Sequence, residues 1–510
     1  MNLFDHIRKA IPSPEKPFLT AGGGERLSYA DMLARSAQIA GALVQRGVEP
    51  GDRVAAQVEK SAENLLLYLA TVRAGAVYLP LNTAYTPAEI DYFIGDAEPK
   101  AFVCDPAKQA ALAPVAHKHG VAALETMDPV GQGSLARAAD AAPKDFADVA
   151  RDEGDLAAIL YTSGTTGRSK GAMLTHRNLA SNARVLVDYW RFSDKDVLLH
   201  ALPIYHTHGL FVACNTVMFS GGAMIWLSKF DADEVMRHLP KASAMMGVPT
   251  FYTRLLRHAG LTREACAHMR LFTSGSAPLL AETHVEFQQK TGHAILERYG
   301  MTETNMNTSN PYDGDRIAGT VGFPLPGVEL RIADPDSGKA LPQSEIGGIE
   351  VKGPNVFKGY WRMPDKTAAE FRADGFFITG DVGKIDARGY VPIVGRAKDL
   401  IITGGFNVYP KEIEAEIDAL PGVAESAVIG CPHPDFGEGV TAVVVCKSGV
   451  ILTETSVIAA LEQRLAKFKL PKRVIFADDL PRNTMGKVQK NVLRDQNSAL
   501  YAGSPGQRTA

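Results

Sequence analysis

The chain has 510 residues, of which 45% are hydrophobic and 22% charged, with a net charge of −3. Its length predicts more than one domain, at ~100–200 residues each, and its near-neutral balance gives no support to a nucleic-acid or membrane-surface partner. Five scattered cysteines, Cys104, Cys214, Cys266, Cys431 and Cys446, lack metal-ligand spacing and read as reduced thiols.

The opening Met1-Asn-Leu-Phe-Asp-His-Ile-Arg-Lys9 lacks the apolar run of a secretory leader, and no stretch is long enough to span a bilayer, so a cytoplasmic protein is expected. Ser28-Tyr-Ala-Asp31 resembles a capping box; apolar Met32, Leu33, Ile39, Leu43 and Val44 follow, and Gly47 closes the helix. Val54–Val58 reads as a strand, Ala62–Arg73 as a helix closed by Gly75, Val77–Leu81 as a strand, Pro87–Gly95 as a helix and Ala101–Cys104 as a strand. This alternation predicts an α/β domain with a largely parallel sheet. The Ala-rich segment from Ala110 to Glu153 carries no clear pattern.

Leu156–Leu160 then reads as a buried strand, and Thr175 as the cap of a helix through Leu179 and Leu186. Between them lies Tyr161-Thr-Ser-Gly-Thr-Thr-Gly-Arg-Ser-Lys-Gly171. Glycines let backbone N–H groups approach an anion, hydroxyls add rotatable donors and Lys170 adds a point charge. The stretch is a cradle for a polyphosphate, although not a Walker loop. Val197–Leu202, Ala223–Trp226 and Ala244–Val248 continue as strands, and Leu271–Pro278 reads as a strand running into a Gly/Ser turn. After Thr320 the alternating Val328–Ala333 and Gly348–Lys352 predict antiparallel strands. After Arg396 a helix (Pro410–Leu420), strands (Ala427–Gly430, Thr441–Cys446) and a helix (Ser456–Ala466) predict a small α+β domain, and the tail from Gly503 reads as disordered.

From the Ser28 helix to Arg494 the chain resembles the adenylate-forming acyl-CoA synthetases, the superfamily of firefly luciferase and peptide-synthetase adenylation domains. The resemblance rests on Tyr161–Gly171, Tyr299-Gly-Met-Thr-Glu303, Thr379-Gly-Asp381, Gly395-Arg-Ala-Lys-Asp399, Gly404-Gly-Phe-Asn-Val-Tyr-Pro410 and Pro481-Arg-Asn-Thr-Met-Gly-Lys487, in the family's order. Within it, Glu297-Arg-Tyr-Gly-Met-Thr-Glu-Thr304 followed by Asn307-Thr-Ser-Asn-Pro-Tyr312 looks most like the malonyl-CoA synthetases. The resemblance implies a large N-terminal multi-layer α/β domain with an added antiparallel β region (1–397), plus a small mobile C-terminal α+β domain (398–510). It implies formation of an acyl-adenylate from a carboxylate and ATP, then displacement of AMP by the thiol of coenzyme A, with domain rotation between the steps.

Carried over residue by residue, Thr162, Ser163, Gly164, Thr165, Thr166, Gly167 and Lys170 would hold the β- and γ-phosphates, with Ser169 where the family usually has Pro. Gly275, Ser276, Ala277, Pro278 and Tyr299 would wall the adenine slot, although Tyr299 also suits a core aromatic; Asp381 and Arg396 would meet the ribose. Glu303 would hold Mg²⁺, Thr302 would add an oxygen near the α-phosphate, and Lys487 would bridge the reacting carboxylate and phosphate. Lys490 reads as a surface lysine. Lys398 matches the hinge, and Gly404 and Gly405 the pantetheine tunnel. Lys487 is also a candidate target for a lysine acetyltransferase.

Arg298 stands where many relatives carry Gly. A buried Arg needs an anion; either a dicarboxylate such as malonate or methylmalonate supplies it, or a protein carboxylate such as Glu297 does. His206, Thr207 and Met306 would shape the acid pocket. Three alternatives stay open: a ligase for a short monocarboxylic or aryl acid, a loading enzyme for a separate carrier protein, and a nucleotide-binding protein without catalysis.

Overall fold

The computed structural model describes residues 1–162, 169–403, 406–462, 464–465, 467–483 and 486–502, with backbone alone at 406–407. Among them the strands form four sheets. The six-stranded sheet runs in the order Ala123–Thr126, Ala101–Cys104, Arg53–Gln57, Val77–Pro80, Leu156–Thr162, Lys170–Thr175; only the last pair is antiparallel. The nine-stranded sheet is parallel from Leu296–Tyr299 through Leu271–Ser274, Ala244–Gly247, Val197–His200 and Ala223–Trp226 to Pro17–Ala21, with antiparallel pairs at both margins. Strands covered on both faces read as continuous apolar runs, and Ala101–Cys104 and Leu271–Ser274 are buried throughout.

The helix Ala62–Arg73 lies between these sheets. It is apolar nearly all round, as an enclosed helix is: Leu65 through Val72 are all buried. Its Tyr68 hydroxyl donates to Asn215 Oδ1 at 3.2 Å, and its ring lies tilted, 5.3 Å from that of Tyr78 on the six-stranded sheet. An antiparallel sheet follows, Glu329–Ala333, Gly347–Lys352, Phe377–Gly383, Ile393–Arg396. The C-terminal sheet runs Phe406–Val408, Ile401–Thr403, Gly437–Cys446, Val423–His433, with Arg473–Phe476 parallel on Gly437–Cys446. Its own core gathers Ile401, Ile413, Ile417, Val440, Val444 and Leu461. The fold is therefore a large N-terminal α/β domain with several sheets and a small C-terminal α+β domain.

Several local expectations are met. Ser28 and Asp31 form a reciprocal capping box on Tyr29–Gln45, and Thr175 caps His176–Tyr189. Other expectations need correction. The glycine-rich stretch does not run from strand straight into helix: Lys170–Thr175 returns as a strand antiparallel to Leu156–Thr162. It opens on Lys170-Gly171, residues with little strand preference, and its neighbour supplies the ladder. The patternless Ala110–Glu153 segment holds the helix Gln109–Lys118, the strand Ala123–Thr126 and the helix Ser134–Asp140. No helix among the described residues is long and apolar enough to cross a membrane. The five cysteines are free.

Candidate active site

Three groups of side chains make up the candidate site, and the first lies where the domains meet. In the first, strand register sets Asp381 opposite Arg396. Arg396 Nε lies 2.7 Å from Asp381 Oδ1, and the Tyr299 hydroxyl donates to Asp381 Oδ2 at 2.5 Å. Gly380, at φ +71°, provides the left-handed turn before Asp381. Lys487 reaches this pair from the C-terminal domain. Burial, then the Arg396 guanidinium, bring its ammonium down to about 8. The preceding Gly486 rests on the N-terminal domain; a Cβ there would lie 3.2 Å from Thr250. Lys398 is nearby and its pKa is lowered by burial, while the adjacent Asp399 pairs with Arg494 of the last helix. Lys490 is not a free surface lysine: its Nζ pairs with Glu414 at 2.5 Å.

In the second group Glu303, 5% exposed, sits against the antiparallel region. The Tyr360 hydroxyl bridges Glu303 Oε1 at 3.0 Å and Glu370 Oε2 at 2.6 Å. Lys170 Nζ pairs with Glu370 Oε1 at 3.0 Å and stands 4.1 Å from the centre of the Tyr360 ring. Burial raises the Glu303 carboxyl. Thr302 lies in the turn before it, partly exposed, and Thr162 ends its strand opposite Lys170. Ser163, Gly164, Thr165, Thr166 and Gly167 lie outside the described residues, as do Gly404 and Gly405. Among the described residues no cluster of three His, Cys, Asp or Glu side chains could hold a metal.

The third group surrounds Arg298, which is 3% exposed. Its Nε and Nη2 have no hydrogen-bond partner. These two nitrogens form one edge of the guanidinium, the edge that grips a carboxylate with two parallel bonds. Burial lowers its pKa to about 9. Glu297 is not its partner. Alternation along the strand sends that carboxylate to the other face, 3.5 Å from His284 Nδ1, where it also accepts the Gly319 amide at 3.2 Å. The guanidinium lies across Gly275, where a Cβ would stand 2.2 Å from Nη1. Around it, Thr207 Oγ1 donates to Asn305 Oδ1 at 2.7 Å, Met306 is buried, and burial pushes the His206 imidazole down to about 4. Ser276 and Pro278, both exposed, and the half-buried Ala277 form the rim after Gly275. Sequence reasoning missed His208, Tyr360 and Glu370. His208 follows directly on His206 and Thr207, which the sequence did single out, whereas nothing local marks the other two.

An exposed rim, a buried unpaired cation and a lysine brought in by a second domain suit the joining of an acid to a nucleotide. The model of the AMP-binding enzyme family matches residues 8–361, and that of the AMP-binding enzyme C-terminal domain matches residues 412–487. This chain belongs to the AMP-binding enzyme family. ATP-bound MatB from Rhodopseudomonas palustris is 65% identical, with a TM-score of 0.96, covering 98% of this chain and 99% of that one. The apo form of the same protein matches with a TM-score of 0.86. A feruloyl-CoA synthase from Amycolatopsis sp is 37% identical over 96% of this chain and 97% of its own length. A malonate–CoA ligase from Arabidopsis thaliana is 34% identical over 87% and 78%. Family membership thus fixes adenylation chemistry, while relatives that take different acids leave the choice of acid to the pocket.

Proposed function

We propose that this AMP-binding enzyme is a malonate–CoA ligase, converting malonate, ATP and coenzyme A to malonyl-CoA, AMP and diphosphate. The observation that carries the reading is the Arg298 guanidinium, buried with one edge unpaired. An apolar acyl tail would leave that charge stranded, whereas a diacid presents one carboxylate to Arg298 and keeps the other for reaction.

In the first step a malonate oxygen attacks the α-phosphorus and diphosphate leaves. Two anions meet, so fixed positive groups must stabilise the crowded transition state. Lys487, at the domain junction, is positioned to bridge the reacting carboxylate and the α-phosphate. Asp381 accepts from the ribose hydroxyls, with Arg396 beside it, and Gly275 to Pro278 with Tyr299 border the base. Lys170 and the Thr162–Gly167 stretch hold the outer phosphates, and Thr302 approaches the α-phosphate. Glu303 suits Mg²⁺, which takes one or two carboxylates when phosphates supply its remaining ligands; bound there, the ion would neutralise phosphate charge. In the second step the coenzyme A sulfur attacks the acyl carbon and AMP departs. We place the domain boundary at 397/398, so that Lys398 turns between the steps and brings Gly404 and Gly405 to the thiol tunnel. His206, Thr207 and Met306 border the acid carbon chain. A lysine acetyltransferase acting on Lys487 would remove its charge and stop the first step. Free thiols suit a reducing cytoplasm.

The test is AMP formation, with coenzyme A present, from malonate, methylmalonate, succinate, acetate, benzoate and ferulate. Malonate should be preferred, with methylmalonate next; equal or better turnover of acetate, benzoate or ferulate overturns the reading.

A further inference from the structure

Close to Arg298 a second polar group is left without a partner. His208 is 1% exposed, and its Nε2 has no hydrogen-bond partner. Its Nδ1 lies 3.1 Å from Ser276 Oγ. Ser276 follows Gly275, the residue that the guanidinium crosses, and its φ of +71° is a left-handed conformation uncommon outside glycine. One rim segment therefore touches both Arg298 and His208. Burial and the Arg298 charge hold the imidazole neutral, so the ring carries one proton. In the tautomer that accepts the Ser276 hydroxyl at Nδ1, that proton sits on Nε2.

The ring is also held from behind. The next residue, Gly209, packs so closely that a Cβ would stand 2.0 Å from the Pro203 carbonyl oxygen. The Gly209 carbonyl is 2.9 Å from His200 Nε2. Lys60 Nζ lies 2.9 Å from His200 Nδ1, and it donates to the carbonyls of His200 at 2.9 Å and Leu227 at 2.6 Å. A carbonyl only accepts, so His200 gives its Nε2 proton to Gly209 and accepts from Lys60 at Nδ1. This strut from the neighbouring sheet fixes the backbone that carries His208.

We propose that His208 is a specificity-determining residue, a neutral Nε2–H donor that joins Arg298 in receiving the non-reacting carboxylate of the diacid. The proposal rests on the diacid reading above. A carboxylate has about four lone-pair sites; the guanidinium edge fills two, and His208 fills a third. Buried groups that lack protein partners then find them in the ligand, and an acid without a second carboxylate leaves both unsatisfied.

The experiment compares His208→Phe and His208→Gln with the wild-type enzyme on malonate and on propionate. His208→Phe keeps a ring but removes the donor; His208→Gln returns an N–H near the Nε2 position. His208→Phe should raise the malonate KM by roughly 10–100-fold, the scale of one hydrogen bond to a charge. The KM for ATP should hold and the preference for malonate over propionate should shrink. His208→Gln should recover part of both. If His208→Phe fails to fold, His208→Ala is read in the same way. A His208→Phe enzyme with unchanged malonate KM and unchanged preference overturns the proposal. Wild-type enzyme that ignores malonate overturns the diacid reading instead, so the two failures are told apart.

Discussion

Arg396 and Asp381 face each other across an antiparallel pair, with 2.7 Å between Nε and Oδ1, and Lys487 from the other domain is buried beside them. The N-terminal domain thus builds an anchored charge pair, and the C-terminal domain brings a cation to it. Lys487→Ala should lower adenylation by about 10²–10³-fold, as loss of a transition-state contact does. Thioester formation from supplied malonyl-AMP should change by no more than about threefold, because that step uses another domain orientation. Measuring the two half-reactions separately decides it; equal losses would remove Lys487 from its assigned role.

The lowered Lys487 ammonium gives the first step a pH dependence. A base whose pKa falls to about 8 is charged below that pH and loses its charge as pH rises through it. The kcat/KM for ATP should therefore decline above pH ~8. Bound ATP favours the charged form, so kcat should decline at a higher pH. Rate profiles from pH 6 to 10 test this, and the alkaline limb should vanish in Lys487→Ala.

Removing the buried guanidinium should weaken use of the diacid. Arg298→Ala should cost about 2–5 kcal/mol in kcat/KM for malonate, the scale of breaking a buried charge pair. Gly275→Ala should act in the same direction, since its new Cβ would occupy the place of Nη1. Calorimetry should show ATP still binding to Arg298→Ala. Malonate kinetics unchanged by Arg298→Ala would leave the acid unassigned.

The Tyr360 hydroxyl joins the carboxylates of Glu303 and Glu370, and Lys170 lies over its ring. Tyr360→Phe frees both carboxylates while keeping the ring. Groups that orient a metal ligand are worth about 10–100-fold in metal affinity. The Mg²⁺ concentration needed for half-maximal nucleotide binding should rise by about tenfold in Tyr360→Phe, with the malonate KM unchanged. Titrating Mg²⁺ against a fluorescent ATP analogue reads this without turnover; an unaltered midpoint argues against Glu303 as the metal ligand.

What the sequence made legible followed from local chemistry. Ser28 and Thr175 announce their helices because a capping hydroxyl bonds within three residues. The helix Ala62–Arg73 and the strand Ala101–Cys104 match their expected bounds because their apolar content is unbroken. Lys170–Thr175 stayed hidden because its opening Lys170-Gly171 has little strand preference and its ladder comes from the partner strand. In the site, Asp381, Arg396 and Lys487 were readable from motif spacing. Neither Tyr360, 57 positions from the Glu303 it bonds, nor Glu370, 200 from Lys170, leaves a local trace. The choice between Glu297 and an external anion as partner of Arg298 also needed three dimensions, since only the fold shows Glu297 on the opposite face.

The guanidinium crossing Gly275 binds two distant codons into one decision. While the guanidinium keeps this pose, a side chain at position 275 would collide with its tip. A lineage that enlarged position 275 and kept arginine would have to move the guanidinium, and with it the edge offered to an anion.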